Sequence, residues 1–134
     1  MASPSTRNLS EIYRAYIRAI LDHDVDAMYR FVSMHVVHNG TQFGLEGYKE
    51  LLRRNIIDND MHIEIKRLIA DENHVAAVLV FTTGPSTRRL AGIDLNSQPF
   101  SYVENVIYDF EDGKIAEVHS LFDIDTVRSH ASEL

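Results

Sequence analysis

The spacing of apolar residues predicts three helices in the first half of the chain. Over residues 9–20 they recur every three or four positions, as on the buried face of an amphipathic helix, and Asn8 or Ser10 can cap its start. The same spacing predicts a short helix over residues 25–31 and a longer one over residues 45–57.

The rest of the chain shows the two-residue period of β-strands. A short strand is predicted over residues 35–40, and longer ones over residues 61–70, 74–83, 102–111 and 114–122. Helices followed by long strands joined by tight turns favour an α+β fold, a cone in which a curved antiparallel sheet wraps around the N-terminal helices. A ligand would enter between the helices and the sheet.

The pair Asp112-Gly113 indicates a tight hairpin, because this dipeptide suits a turn with two positive φ angles. Glu111 then lies opposite Lys114, and counting outward gives further pairs that share one face, since strand side chains alternate. These pairs are Phe110 with Ile115, Tyr108 with Glu117, Val106 with His119, Glu104 with Leu121, and Tyr102 with Asp123. A face that mixes aliphatic, tyrosine, carboxylate and histidine side chains is typical of a ligand pocket.

The opposite face of this hairpin is predicted to be an interface. It would carry Val103, Ile107, Ala116, Val118 and Phe122, an apolar set too large to leave in water. A second copy is the simplest cover, because a two-fold axis lets one patch satisfy its own image. We therefore expect a homodimer formed through the outer face of the sheet.

A second hairpin decides the position of Glu64. If its turn is centred on Glu72-Asn73, Glu64 lies opposite Phe81 among apolar side chains, where desolvation would raise the pKa of its carboxyl group. The alternative is an exposed Glu64 that pairs with Lys66 or with an arginine. The alternation of residues is equally compatible with both arrangements.

Two strand motifs resemble a known family. The run GKIAEVHSLFD over residues 113–123, with its Glu117, His119 and Asp123, is similar to the closing strand of SnoaL-like polyketide cyclases in the NTF2-like superfamily. The preceding run, FSYVENVIYDF over residues 100–110, resembles small fungal isomerases of meroterpenoid and alkaloid pathways. The resemblance implies an NTF2-like cone and an isomerase or cyclase that acts on a hydrophobic polyketide or meroterpenoid-type natural product.

The predicted cavity carries the candidate catalytic groups. We expect general acid-base catalysis by Asp123, His119 and Glu64, because carboxyl groups in an apolar cavity have raised pKa values and histidine already titrates near neutral pH. A structural polar network is the competing interpretation, since Asp123 can bond its predicted cross-strand partner. The residues predicted to bind the substrate are Tyr16, His38, Tyr102, Glu104, Tyr108, Glu117 and Leu121.

Several other kinds of site are missing from the sequence: phosphate-binding glycine loops, a dinucleotide fingerprint, a nucleophile elbow and clustered zinc ligands. His35 and His38 are spaced like metal ligands, but strand residues three apart point to opposite faces. We therefore predict no cofactor and no metal. The alternative functions on the same fold are a dehydratase, an epoxide hydrolase, and a non-catalytic ligand-binding or dimerisation module.

The amino-acid composition limits the kinds of molecule that the protein is expected to bind. A formal net charge of −7 argues against a nucleic acid or an anionic membrane, and the absence of cysteine excludes disulfides and thiolate chemistry. No apolar run approaches the length of a membrane span, so a cytoplasmic protein is the expectation.

The 134 residues are long enough for one domain with a single core. Residues 1–8 are expected to form a flexible arm, and residues 124–132 a short final helix. Residues 84–99 contain glycine and proline breaks and are expected to form a lid or an interface arm.

Overall fold

The computed structural model describes residues 4–84, 89–90, 93–94, 100–123 and 125, and it confirms the predicted α+β cone. Its helical elements are α1 (Pro4–Leu21), a 3₁₀ helix (Val25–Arg30), α2 (Gly44–Leu52) and a π-helical turn (Arg53–Ile57). Its strands are β1 (Val32–His38), β2 (Thr41–Gln42), β3 (His62–Ala70), β4 (His74–Thr82), β5 (Arg89–Leu90), β6 (Ile93–Asp94), β7 (Ser101–Glu111) and β8 (Lys114–Phe122).

Six strands form one curved sheet in the order β2-β1-β8-β7-β4-β3. All neighbours in it are antiparallel except β1 and β8, which run parallel. Strands β5 and β6 pair separately with each other. Helix α1 packs its apolar stripe against the inner face of the large sheet, and the core lies between them.

The beginning of α1 differs from the sequence prediction. The helix begins at Pro4, so the predicted cap at Asn8 or Ser10 was wrong, and only residues 1–3 of the predicted arm lie outside the described residues. Most of the predicted final helix and most of the predicted lid, residues 84–99, also lie outside the described residues. Among the described residues, no helix is long and apolar enough to cross a membrane.

The tight hairpin is confirmed at its turn, where Asp112 and Gly113 have φ angles of 51° and 77°. The register beyond Phe110 and Ile115 was wrong. Ala116 is an extra residue in β8, a bulge, and it shifts every later pair by one position. Since a shift of one residue reverses the direction of each side chain, Val118, Ser120 and Phe122 turn inward in place of Glu117, His119 and Leu121.

A second bulge has the same effect on β3. Near its turn the pairs follow the prediction, but Lys66 is an extra residue, and beyond it Ile63 rather than Glu64 lies opposite Phe81. Ile63 is buried and Glu64 is exposed. The structure therefore has the exposed Glu64 that the sequence left as the alternative.

Both bulges follow from apolar residues three positions apart within a strand. Ile115 and Val118 are both buried, and the bulge at Ala116 lets both point inward while Glu117 points outward. A regular strand would instead direct Glu117 towards the core, where an unpaired carboxylate is costly. Packing of the inner face thus overrides regular pairing.

We expect Val118→Ala and Leu121→Ala to differ strongly in stability. Val118 is 2% exposed and Leu121 is 73% exposed. The first variant should lose about 2–3 kcal/mol of unfolding free energy through lost burial and a cavity, and the second less than about 0.5 kcal/mol. Urea denaturation measures both. The reverse order is what the regular register requires, and finding it would rule out the bulge at Ala116.

Candidate active site

A cavity of about 580 Å³ lies between the helices and the inner face of the sheet. Most of its lining is apolar and comes from α1, α2 and strands β3, β4, β7 and β8. A few polar side chains converge on it, which is the usual composition of a small-molecule site. They include Tyr16, His38, Tyr48, Glu104, Tyr108 and Ser120.

One wall of the cavity is aromatic. The Tyr102 ring stacks on Phe81 with centroids 5.4 Å apart and an interplanar angle of 9°. Phe100 and Phe122 flank the same tyrosine at 6.1 Å and 5.2 Å. Three strands and the residue preceding β7 contribute these rings, and Phe81, Tyr102 and Phe122 give this side of the cavity an apolar, aromatic lining.

Glu104, Ser120 and His38 form a polar row on the inner face. The Ser120 hydroxyl group hydrogen-bonds to the Glu104 carboxyl group, and its Oγ lies 3.4 Å from His38 Nε2. Glu104 and Ser120 are brought to the same face by the bulge at Ala116, and the parallel pairing of β1 with β8 brings His38 beside them.

Asn39 holds this row in place. Its side-chain oxygen accepts the backbone N–H of Ser120 at 2.8 Å, and its Nδ2 donates to the Ser120 carbonyl oxygen at 3.2 Å. Asn39 has a φ angle of 48°, in the left-handed region that asparagine tolerates better than most residues. The end of β1 is thus fixed to β8 by side-chain as well as backbone bonds.

Burial moves the pKa values of Glu104 and His38 towards each other. Desolvation raises the pKa of Glu104, an effect that the Ser120 hydrogen bond opposes. Desolvation also lowers the pKa of His38. Both shifts favour the neutral forms, a carboxyl group that can donate a proton and an imidazole that can accept one.

Four tyrosines line or border the cavity in two hydrogen-bonded pairs. Tyr13 donates to Tyr108 at 3.1 Å, and the hydroxyl oxygens of Tyr16 and Tyr48 are 2.6 Å apart. Burial raises the pKa of Tyr48 to about 12, and the charge of Glu104 adds to the rise, so the hydroxyl groups remain protonated. In the Tyr16–Tyr48 pair, one hydroxyl hydrogen forms the bond between the two tyrosines. The other hydroxyl hydrogen can be donated to a ligand oxygen.

The π-helical turn shapes the cavity rim. It follows α2 directly and presents Arg54, Asn55 and Ile56 to the lining. Wide turns of this kind often mark functional sites because they displace side chains from the regular helical spacing. Arg54 is the only lysine or arginine among the described lining residues.

The structure brings six of the ten predicted site residues to the cavity lining. These six are Tyr16, His38, Tyr102, Glu104, Tyr108 and Leu121. Leu121 is nevertheless 73% exposed, because its side chain belongs to the outer face.

The three predicted catalytic residues do not line the cavity. Glu64 and His119 lie on the outer face because of the two bulges, and Glu117, predicted to bind substrate, lies beside His119 there. Asp123 follows the end of β8, and its Oδ1 accepts the backbone N–H of Asp125 at 2.9 Å. The prediction that Glu64, His119 and Asp123 line the cavity was wrong, and so was the prediction for Glu117.

Sequence reasoning missed Tyr48, Ser120 and Asn39 as cavity groups. Tyr48 lies in the apolar stripe of α2, where the sequence alone does not distinguish it from a core residue. Regular pairing counted from the turn would direct Ser120 to the outer face. The apolar spacing of three at Ile115 and Val118, with a charged residue between, was the available sign of a bulge.

Comparison with known proteins supports the fold independently. A family model described as SnoaL-like polyketide cyclase matches residues 10–128. The crystal structure of a SnoaL-like polyketide cyclase from Agrobacterium tumefaciens is 33% identical, with a TM-score of 0.83 over 90% of this chain and 95% of that one. No curated protein matches the chain.

Two more distant structures share the fold. TsrD from Streptomyces laurentii is 19% identical with a TM-score of 0.79, over 100% of this chain and 99% of that one. A candidate ketosteroid isomerase from Kribbella flavida is 15% identical with a TM-score of 0.66, over 88% and 79% of the two chains.

Glu104→Gln should stabilise the protein at neutral pH but not in acid. The folded state holds the Glu104 proton to higher pH than the unfolded chain does, so unfolding free energy falls as pH rises through the raised pKa. The amide group of the Glu104→Gln variant cannot ionise, so the unfolding free energy of the variant does not fall in this way. Thermal unfolding of wild type and variant between about pH 4 and pH 8 measures the difference.

Glu64→Gln is the matched control for this experiment, because it removes a carboxyl group from the opposite face of the sheet. An equal gain in both variants would mean that overall charge, rather than burial in the cavity, causes the effect. A constant difference between wild type and Glu104→Gln at every pH would contradict the raised pKa.

Proposed function

Because the chain belongs to the SnoaL-like polyketide cyclase family, we propose that it is a cofactor-independent cyclase or isomerase that uses Glu104 for general acid-base catalysis. The observation that carries the proposal is a desolvated carboxyl group in a largely apolar cavity, within reach of neutral hydrogen-bonding groups. A carboxyl group with a raised pKa can take up and return a proton near neutral pH.

The reaction we propose begins with an enolisable carbonyl compound. Ionised Glu104 removes a proton from the carbon next to the carbonyl group, and the electrons move to the carbonyl oxygen. The free hydroxyl hydrogen of the Tyr16–Tyr48 pair stabilises that oxygen as an enolate. Return of the proton to another carbon completes an isomerisation. Alternatively, attack of the enolate carbon on a second carbonyl group closes a ring, and the oxygen of that second carbonyl group takes the proton back from Glu104.

His38 and Ser120 support this chemistry from the side. Neutral His38 adds no positive charge beside Glu104 that would hold its carboxyl group ionised. Its Nε2, 3.4 Å from Ser120 Oγ, can instead accept a proton relayed through that hydroxyl group. The row therefore offers a second place for the proton while the substrate rearranges.

The cavity and the resemblance of residues 100–110 to fungal isomerases support a proposal for the substrate class. The aromatic wall around Tyr102 favours a flat, hydrophobic, polycyclic molecule. Polyketides and meroterpenoids with an enolisable ketone are the compounds to test first. Incubation with a panel of such ketones in heavy water, followed by mass spectrometry, detects proton exchange whether or not the product is known.

We expect Glu104→Gln to lower this exchange by about 10²–10⁴-fold, because the amide keeps the shape of the side chain but cannot shuttle a proton. Glu64→Gln, on the outer face, is the matched control and should exchange like wild type. If Asp123→Asn lost the exchange and Glu104→Gln kept it, then Asp123, as predicted from the sequence, would be the catalytic residue. Incorporation of heavy oxygen from labelled water would indicate an epoxide hydrolase or a hydratase instead.

We also propose that two copies associate through the outer face of the sheet, as expected from the sequence but with different residues. Val118 and Phe122 turn inward and leave the predicted patch. Ile69, Val103, Ile107 and Leu121 remain exposed on that face and form its apolar part. An isologous contact would cover these side chains on both copies at once.

Ile107→Glu should therefore give monomers, since the charge would appear twice near the two-fold axis in a desolvated contact. Sedimentation at micromolar concentration measures the change. Tyr29→Glu is the matched control, because Tyr29 is a similarly exposed apolar residue on the 3₁₀ helix. A wild type that sediments as a monomer would refute this assembly.

A further inference from the structure

Four titratable side chains lie together on the outer face of the sheet, away from the cavity. His74 in β4 pairs in register with Asp109 in β7, and Asp109 pairs with Glu117 in β8. His119 follows Glu117 by two residues and therefore points the same way. Three neighbouring strands thus place two carboxylates and two imidazoles side by side on a rigid surface.

The distances within this cluster suit a shared ligand. His119 Nε2 lies 3.2 Å from Glu117 Oε2 and 4.0 Å from Asp109 Oδ2. His74 Nε2 lies 3.8 Å from the other Asp109 oxygen. Nitrogen and oxygen ligands of a tetrahedral zinc ion stand about 3.4 Å apart, since each bond is about 2.0–2.1 Å long. The ligand atoms of Asp109, Glu117 and His119 all lie within 4.8 Å of one another, so small side-chain rotations would bring them to that spacing, whereas His74 would have to move further.

The charges of the cluster call for a cation. Asp109 and Glu117 are directly opposite each other, and like charges in that position destabilise a strand pair. In the described part of the chain, neither carboxylate has a lysine or arginine within ion-pair distance, and their recorded partners are the two imidazoles. Two negative charges are therefore balanced only by groups that are themselves metal ligands.

Asp71 gives an independent indication of how His74 is oriented. Its carboxylate also accepts the backbone N–H groups of Asn73 and His74, which fixes it as an acceptor and lowers its pKa. The His74 Nδ1 atom, 2.9 Å from Asp71 Oδ1, must then donate. In the neutral His74 ring, Nε2, which lies beside Asp109, then carries the lone pair that a metal ion would accept. A histidine held this way by a carboxylate is the usual arrangement behind a metal ligand.

We propose that Asp109, Glu117 and His119 bind a divalent transition-metal ion of the zinc class, and that His74, beside Asp109, supplies a fourth ligand once its side chain turns towards the ion. The imidazole and carboxylate ligands suit zinc, cobalt and nickel better than calcium or magnesium, which prefer oxygen ligands alone. In the single chain the four side chains are 38% to 53% exposed, so the ion can enter from solvent before two copies associate through this face. The site lies across the sheet from Glu104 and is separate from the proposed catalysis.

The test uses untagged full-length protein with zinc in calorimetry and with cobalt in visible absorption. Wild type should bind one ion per chain and give the intense cobalt bands of a low-coordinate site with nitrogen ligands. Asp109→Asn should lose most of the affinity, and it should still fold because it also removes the repulsion with Glu117. Asp71→Asn should keep the cobalt spectrum and weaken binding about 10–100-fold, since Asp71 orients a ligand without being one.

His62→Gln is the matched control, because His62 is an exposed histidine near the other end of the outer strand β3. It should bind zinc like wild type. Equal zinc affinity in wild type and Asp109→Asn, or no binding by wild type, would mean that the cluster is only an ion-pair network. A stoichiometry of one bound ion per two chains would contradict a site that is complete within one chain.

Discussion

Two extra residues, Lys66 in β3 and Ala116 in β8, determine which side chains face the cavity. Each bulge lets apolar residues on both sides of it point inward, while Lys66 and Arg67 in β3 and Glu117 in β8 point outward. A regular strand would bury a charged residue without a partner, at a cost that packing could not offset. Bulges also increase the local twist and bend a strand, so the same residues help to curve the sheet around its cavity.

The chemistry of the cavity follows from this geometry. Once Ser120 turns inward, it can bond to Glu104 and approach His38, and the Asn39 side chain holds the Ser120 backbone in place. The main cause of the pKa shifts is the same for Glu104 and His38, namely removal from water by the apolar walls. Shape and desolvation, rather than a charged neighbour, favour the neutral forms of these groups.

Much of the fold could be predicted from the sequence, because it depends on local signals. Periodicity located the two main helices and the four long strands, and the Asp112-Gly113 turn fixed the first pairs of the hairpin. Residues on β7, such as Glu104, were placed correctly because no bulge interrupts that strand. The errors at Glu64 and His119 share one cause: counting outward from a turn assumes regular pairing, and a single extra residue reverses every later assignment.

The bulge at Ala116 also bears on how this chain can be aligned with its relatives. A relative with a regular β8 would correspond to this chain only if the alignment opened a one-residue gap at this point. An ungapped alignment anchored on the hairpin turn would match Ser120 to a solvent-facing position in the other protein, and would match His119 to one that faces its cavity. Transfer of an active-site residue between such sequences therefore depends on gap placement, which has to be decided by superimposing strands rather than by similarity of letters.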